Sequence, residues 1–443
     1  MTAGKRILRC AALLAALLLA ASATGQAQSS EETIVLKAGW IFDAVSGDIR
    51  QDAVVVVRGG VIEAVGGDAD MFQAARIIDL GDVTLLPGFI DAHSHLTLEP
   101  DANYYRKSFN ELLRPPAEQA LYAAVNARKT LEAGFTTVRH VGGRDQIDVA
   151  LRNAVEAGIT SGPAILPAGN PITAFGGSCD EPPFPPARVA PLGPREGVCN
   201  GADECRAAVR SQIKWGADVI KICASGGVLS YDPVDVPQLT SAELEAAISE
   251  AHNWGRRTAA HAHGDTAARQ AIEAGINSIE HGSFLSEETL ALMARKGVYL
   301  VPTCMAIDWV KRNAETYPPD IAEKARSAAA AHTDTFRTAL RLGVPIALGT
   351  DASVLPDGHG KNAMEFVLMA ELGMDPDAAI LAGTREAAKL LGLETEIGTL
   401  EPGKRADIVA VPGNPLTDIR AVLDPVFVMQ RGKVVVEHGQ GFE

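Results

Sequence analysis

Beyond residue 28 the sequence has no apolar run of membrane-spanning length, so nothing in that part reads as a transmembrane helix. Basic residues are in deficit. Lys and Arg number 40 against 55 Asp and Glu, a net charge of −15, which argues against a nucleic-acid-binding surface. That balance does not name a substrate, because the field inside a site can oppose that of the whole protein. Cysteines are few, at six, and show neither CxxC nor zinc-finger spacing. No GxGxxG follows an early strand, which weakens the case for a doubly wound nucleotide-binding sheet. Tandem repeats and low-complexity tracts are also missing. What remains is an ordinary globular composition, 47% hydrophobic and 21% charged, over 443 residues. That is enough chain to bury a full core, and it excludes a disordered, collagen-like or disulfide-framework protein.

The N-terminus reads as a secretory signal peptide. Lys5, Arg6 and Arg9 precede an apolar run over residues 10–23, and small residues follow, with cleavage expected after Ala23 or Ala27. Cys10 stands at the start of the apolar run rather than after it and is not placed for lipid attachment. The expected product is exported to a periplasm or secreted, and has no membrane attachment after cleavage. An oxidising compartment permits disulfides. Cys179 and Cys199 flank a Pro-rich stretch and Cys205 follows, so a bridge within this trio is expected. Cys223 and Cys304 sit in apolar strand-like runs and read as buried thiols.

Residues 33–82 alternate apolar and polar positions between glycines, as short strands do. ADIVAVPG and PVFVMQRGKVVVEHG near the C-terminus have the same design, so both ends of the chain read as parts of one small β-domain. Between them lie eight strand candidates: TLLPGFIDAH, FTTVRH, PAILPAG, ADVIKICA, RTAAHAH, NSIEH, VYLVPT and VPIALGTD. Most are followed by an amphipathic Ala/Glu-rich stretch. The pattern predicts an α/β fold, a (β/α)8 TIM-type barrel with a small β-sandwich domain built from N- and C-terminal segments. An open doubly wound sheet is the rival. The expected division is 1–27 signal peptide, 28–82 first part of the β-domain, 83–392 barrel and 393–443 second part. Residues 181–194 (EPPFPPARVAPLGP) are expected to form a long loop at the barrel mouth.

Polar residues collect where these strands end. His93 and His95 end the first, His140 the second, Lys221 the fourth, His261 and His263 the fifth, His281 the sixth and Asp351 the eighth. In a barrel all of them meet at one mouth. Residues two apart on a strand share a side, so each His-x-His pair can grip one ion. A single strand-end histidine is ordinarily a satisfied polar group. Here five of ten histidines fall at such ends and His140 makes a sixth, a concentration that points to a metal site. Imidazole plus carboxylate suits zinc and related divalent ions. Tyr231, in GGVLSYD, is a candidate to bind a substrate carboxylate, with a plain loop tyrosine as the alternative. His252 and His332 read as surface or packing residues; His359, in the Gly-rich DGHGKN loop after the eighth strand, is a candidate to line the mouth, with a packing role favoured.

These motifs resemble the amidohydrolase superfamily over essentially all of residues 33–440. PGFIDAHSH resembles the family's strand-one signature, and EPGKRADIVA its C-terminal β-domain signature. KICASGG, HAHG and IEHG resemble the imidazolonepropionase-like branch, with its Xaa-Pro dipeptidases, carboxypeptidases and ochratoxin-hydrolysing amidohydrolases. The resemblance implies a binuclear site holding two divalent ions, zinc first among Zn, Mn, Co and Fe. His93, His95 and Asp351 would hold one ion, His261 and His281 the other, and Lys221 would bridge them as an N6-carboxylated side chain. It implies hydrolysis of the C–N bond of a small peptide or N-acyl amino acid, aryl amides such as ochratoxin included. Asp351 would be the catalytic acid–base, and His263 and then His140 the donors to the developing oxyanion; many relatives carry Asp at the His140 position. It also implies a homo-oligomer, with an octamer among its forms. Cyclic amides, lactones and deamination are the enzymatic alternatives, although mononuclear deaminases lack the bridging lysine. A non-enzymatic relative is the other class, and the six filled ligand positions argue against it.

Overall fold

The computed structural model describes residues 32–68, 71, 75–98, 103, 106, 110, 113–180, 190–230, 232–437 and 440–441. The expected signal segment and Tyr231 lie outside the described residues.

Both chain ends build one sheet. Thr33–Asp43 pairs antiparallel with Asp48–Arg58 and parallel with Arg76–Asp79 and Val83–Pro87. Val83–Pro87 in turn pairs antiparallel with Ile408–Pro412, and Phe427–Gln430 and Lys433–Glu437 extend the path. Alternate residues from both halves (Leu36, Val55, Leu85, Ile408 and Phe427) share one buried core, so the nine-stranded sheet curls on itself as a sandwich does. The run Ala53–Val57 is continuously apolar because both of its faces are covered: Val55 and Val57 point into that core, and Val54 and Val56 into a smaller cluster with Val35.

One boundary differs from the sequence expectation. TLLPGFIDAH is not one strand, because Val83–Pro87 belongs to the small domain's sheet and the barrel begins at Phe89. The division at residues 82 and 83 therefore moves to Gly88. A Cβ there would lie 2.2 Å from Thr136 Oγ1, so the crossing between the two domains has room only for glycine.

The barrel strands are β1 (Phe89–Ser94), β2 (Phe135–His140) and β3 (Ala164–Pro167) in one parallel sheet. β4 (Val219–Cys223), β5 (Arg257–Gly264), β6 (Ser278–Phe284) and β7 (Tyr299–Val301) form a second. Residues 345–350 supply the eighth, extended segment. Bonds outside these ladders carry the order round. Cys223 N–H donates to Ile172 O, just past β3, and Ile172 N–H donates to Lys221 O. Ala347 N–H donates to Leu300 O, and Ala92 N–H donates to Leu348 O, returning to β1. Helices separate the strands, as in the expected barrel. One of them, α1 (Ser241–Asn253), shows why such stretches are helical. Thr240 and Glu243 form a reciprocal capping box at its start, and Leu244, Ala247, Ile248 and Ala251 bury one stripe.

The cysteine expectations are corrected in part. Cys199 pairs with Cys205, within the expected trio, but Cys179 pairs with Cys223. Cys223 is therefore not a thiol, while Cys304 is free and buried. The loop after β3 folds back over β4, where Ser178 N–H donates to Gln238 Oε1 and Ser178 Oγ donates to Ser225 O. That return brings Cys179 beside the end of β4, a proximity set by tertiary structure. Non-reducing peptide mapping of the mature protein is expected to recover 179–223 and 199–205 linked peptides and to alkylate Cys304 only after denaturation. A 179–199 or 179–205 linkage would contradict this arrangement.

Candidate metal centre

The strand ends bring the expected residues together. The donor atoms of His261, His263 and His281 lie within 4.8 Å of one another, and so do those of His93, His281 and Asp351. His281 belongs to both groups, with ring centroids 4.7 Å from His261 and 4.9 Å from His93. His95 joins through Asp351, its Nε2 standing 3.9 Å from Oδ1. Lys221, on β4, is almost completely buried beside them. His263, expected as an oxyanion donor, stacks on His281 at ligand distance from that ring and His261.

Each ring is aimed by a bond on its outer side. His95 Nδ1–H donates to Gly142 O at 2.8 Å. His93 Nδ1 meets Glu280 Oε2 at 2.7 Å. His281 Nδ1 meets Thr303 Oγ1 at 2.8 Å, and the Thr303 hydroxyl is itself committed to Pro302 O, so here it accepts. His261 is turned the other way: its Nε2–H donates to Gly226 O at 3.2 Å, leaving Nδ1. One nitrogen of the His93, His261 and His281 rings is thus turned toward the centre. Burial also holds the pKa values of His93 and His281 well below the usual imidazole range and brings His261 down to about 4. Neutral imidazoles fixed in one tautomer are the form that binds a metal ion. With a carboxylate beside them, these residues fit a divalent cation of the zinc type.

Backbone strain concentrates here. His281, Thr303 and Asp351 are non-glycine residues at φ 70°, 52° and 48°, the first within β6 and the others just past β7 and the eighth segment. Asp351 N–H donates to His93 O at 2.8 Å, which ties the last segment to the first at the site. Gly349 permits that approach, since a Cβ there would lie 2.6 Å from His93 Cβ.

Lys221 has its pKa pulled down to about 8, chiefly by burial, with Glu280 and Asp351 opposing. His140 is fully buried one ring behind His95, at 5.8 Å, with Nε2 3.3 Å from Thr97 N and Oγ1 and Nδ1 3.7 Å from Asp148. His252 sits outside this group against Asn277, as expected of a packing residue. His332 is buried and donates to Pro302 O, supporting the turn that carries Thr303.

Sequence reasoning missed the layer beneath. Asp91, fully buried, accepts from Thr350 and Asn362 and locks β1 to the eighth segment. Glu280 and Arg139 form a buried ion pair at 2.8 Å. The available signal was a charged residue inside each of three apolar strands (FIDAH, TTVRH, SIEH), since a charge is buried there only with a partner.

Comparison with known proteins agrees with this geometry. The profile of the Amidohydrolase family matches residues 84–435. Ochratoxinase of Aspergillus niger is 31% identical over 421 residues, covering 89% of this chain and 85% of that protein. A solved Xaa-Pro dipeptidase with bound methionine superposes with a TM-score of 0.85 at 37% identity, covering 91% of this chain and 99% of that one. A prolidase complexed with N-methylphosphonate-L-proline does so at 0.82 and 31%, covering 91% and 100%. A matching profile over most of the chain and these full-length likenesses lead to one conclusion: this chain belongs to the amidohydrolase family.

Proposed function

We propose that the protein is an exported, metal-dependent hydrolase that cleaves the amide bond of dipeptides or N-acyl amino acids, aryl amides included. One observation carries the reading. Four histidines, each anchored on its outer nitrogen, converge with Asp351 and a buried lysine at the barrel mouth. The likeness to ochratoxinase and to Xaa-Pro dipeptidases supports an amide whose leaving group is an amino acid. The two disulfides support an oxidising destination and hence the leader at residues 1–27.

His93, His95 and Asp351 would hold one divalent ion and His261 and His281 the second, zinc being the first expectation. Lys221 would serve both as a carbamate, which replaces a repelling ammonium with an anion. When bound, such ions lower the pKa of water and polarise a carbonyl. The chain's own part is positioning and proton transfer. The Asp351 carboxylate takes the proton of the attacking water and returns it to the leaving nitrogen, first base and then acid. His263 Nδ1 is held by Ser283 Oγ at 2.9 Å, which leaves its Nε2 side for the developing oxyanion. His140 acts through His95, because its ring has no exposed surface.

The test is an LC–MS screen of the zinc-loaded mature protein. The substrates are Xaa-Pro, Xaa-Leu, Xaa-Phe, Xaa-Lys and Xaa-Arg dipeptides and N-acyl and N-aroyl amino acids, with Asp351→Asn as the blank. Release of a free amino acid by the unaltered protein alone is expected. No release from any of them, with metal bound, would overturn the amide reading in favour of cyclic amides, lactones or esters.

A further inference from the structure

We infer that Glu280 is a positioning residue for the metal centre, which it serves by holding His93 in the tautomer and direction a metal ion requires. The inference rests on the metal-dependent reading above and goes beyond it to a residue that would touch neither ion nor substrate.

The argument begins with strand alternation. Successive side chains of a strand point to opposite faces. On β6, Ser278 and Glu280 share a face. The Ser278 hydroxyl donates to Glu280 Oε1 and accepts from Arg139 Nη1 at 3.0 Å. His281 should then point away from that side. Its left-handed backbone, at φ 70°, breaks the alternation and turns it in as well. Two consecutive residues therefore serve the same centre. His281 faces the other rings, and Glu280 lies beneath them against His93.

Glu280 has no exposed surface, and both of its oxygens are used. Oε2 accepts from His93 Nδ1–H at 2.7 Å, and Oε1 accepts from Arg139 Nη2 at 2.8 Å. Arg139 is anchored in turn, its Nε donating to Ala92 O at 2.5 Å, one residue before His93. Its guanidinium neutralises the buried carboxylate, so Glu280 adds no net charge beneath the cations. The carboxylate still makes His93 a stronger donor at Nε2 and stops the ring from rotating. Outer partners of this kind typically change metal affinity by about 10–100-fold.

Glu280→Gln alone would leave Arg139 buried without its counter-charge, so the decisive comparison uses two double variants. Glu280→Gln/Arg139→Met and Glu280→Leu/Arg139→Met both remove the ion pair. Only the first keeps an acceptor for His93 Nδ1–H. Replacing a buried pair by neutral groups of similar volume is compatible with folding. The readout is zinc affinity of the metal-free proteins by chelator competition, with cobalt absorption spectra of the loaded ones. The Gln variant is expected to bind the tighter ion about 10–100-fold more strongly than the Leu variant. Equal affinities at similar melting temperatures would overturn the inference and leave the metal reading intact. No zinc binding by the unaltered protein would overturn both. Nitrogen-15 imidazole shifts of the metal-free unaltered protein give a check that needs no variant. His93 is expected to carry its proton on Nδ1, and a proton on Nε2 would overturn the inference.

Discussion

Asp351→Asn is expected to lower kcat by about 10³-fold, within the range for a lost general acid–base group, with KM changed by no more than a few-fold. The substitution is close to isosteric. Asn tolerates the left-handed backbone that Asp351 adopts at φ 48°, and the N–H bond to His93 O does not depend on the side chain. The fold should therefore survive, and the amide can still lie beside His95. What it loses is the capacity to take a proton from water and hand it to the leaving amine. A factor of 10³ corresponds to about 4 kcal/mol of barrier. Steady-state kinetics on the best substrate from the screen, with metal content measured in parallel, decide the matter. A variant within tenfold of the unaltered protein, with metal bound, would remove Asp351 from the proton path.

Lys221→Ala is expected to have a comparable effect by another route. With the proposed bridging carbamate removed, metal content should fall and activity should drop by about 10³-fold or more, since both proposed metal sites would be weakened together. Short carboxylates such as propionate, added with zinc, should restore part of the activity by occupying the space of the lost carbamate. Carbamate formation uses the neutral amine: the nitrogen attacks CO2, a C–N bond forms and one proton is released. With the amine's pKa brought down to about 8 by burial, the reactive form increases as pH rises through that value. Metal uptake by the metal-free protein should therefore quicken from pH 7 to pH 8.5 and depend on added bicarbonate. Uptake indifferent to bicarbonate, or full activity in Lys221→Ala, would count against the carbamate.

The candidate site was legible because barrel topology makes parallel strands neighbours: His93, Lys221, His261 and His281 lie on such strands, and His95 and Asp351 just past two of them. The small domain was legible from alternation at both chain ends. Other features depend on closure of the ring, which no local pattern reports. Asp91 is stabilised by Thr350 and Asn362, more than 250 residues away in sequence. Arg139 and Glu280 are 141 residues apart. Each looked like an isolated charge in an apolar strand, and only the closed arrangement supplies its partner. Cys179 found Cys223 for the same reason, across a loop whose path the sequence leaves open. His140 was read as the second candidate donor to the oxyanion; its buried ring lies 5.8 Å from that of His95 and beside Thr97.

The seam at Gly88 bears on the order in which the chain can fold. Val83–Pro87 pairs on one side with Thr33–Asp43 and on the other with Ile408–Pro412, which leaves the ribosome more than 300 residues later. Until then one side of Val83–Pro87 is unpaired, a single residue from the strand that carries His93. The small domain's sheet is therefore completed only after the last strands arrive. A C-terminal truncation ahead of residue 408 would leave that strand edge bare and prone to pair with other chains.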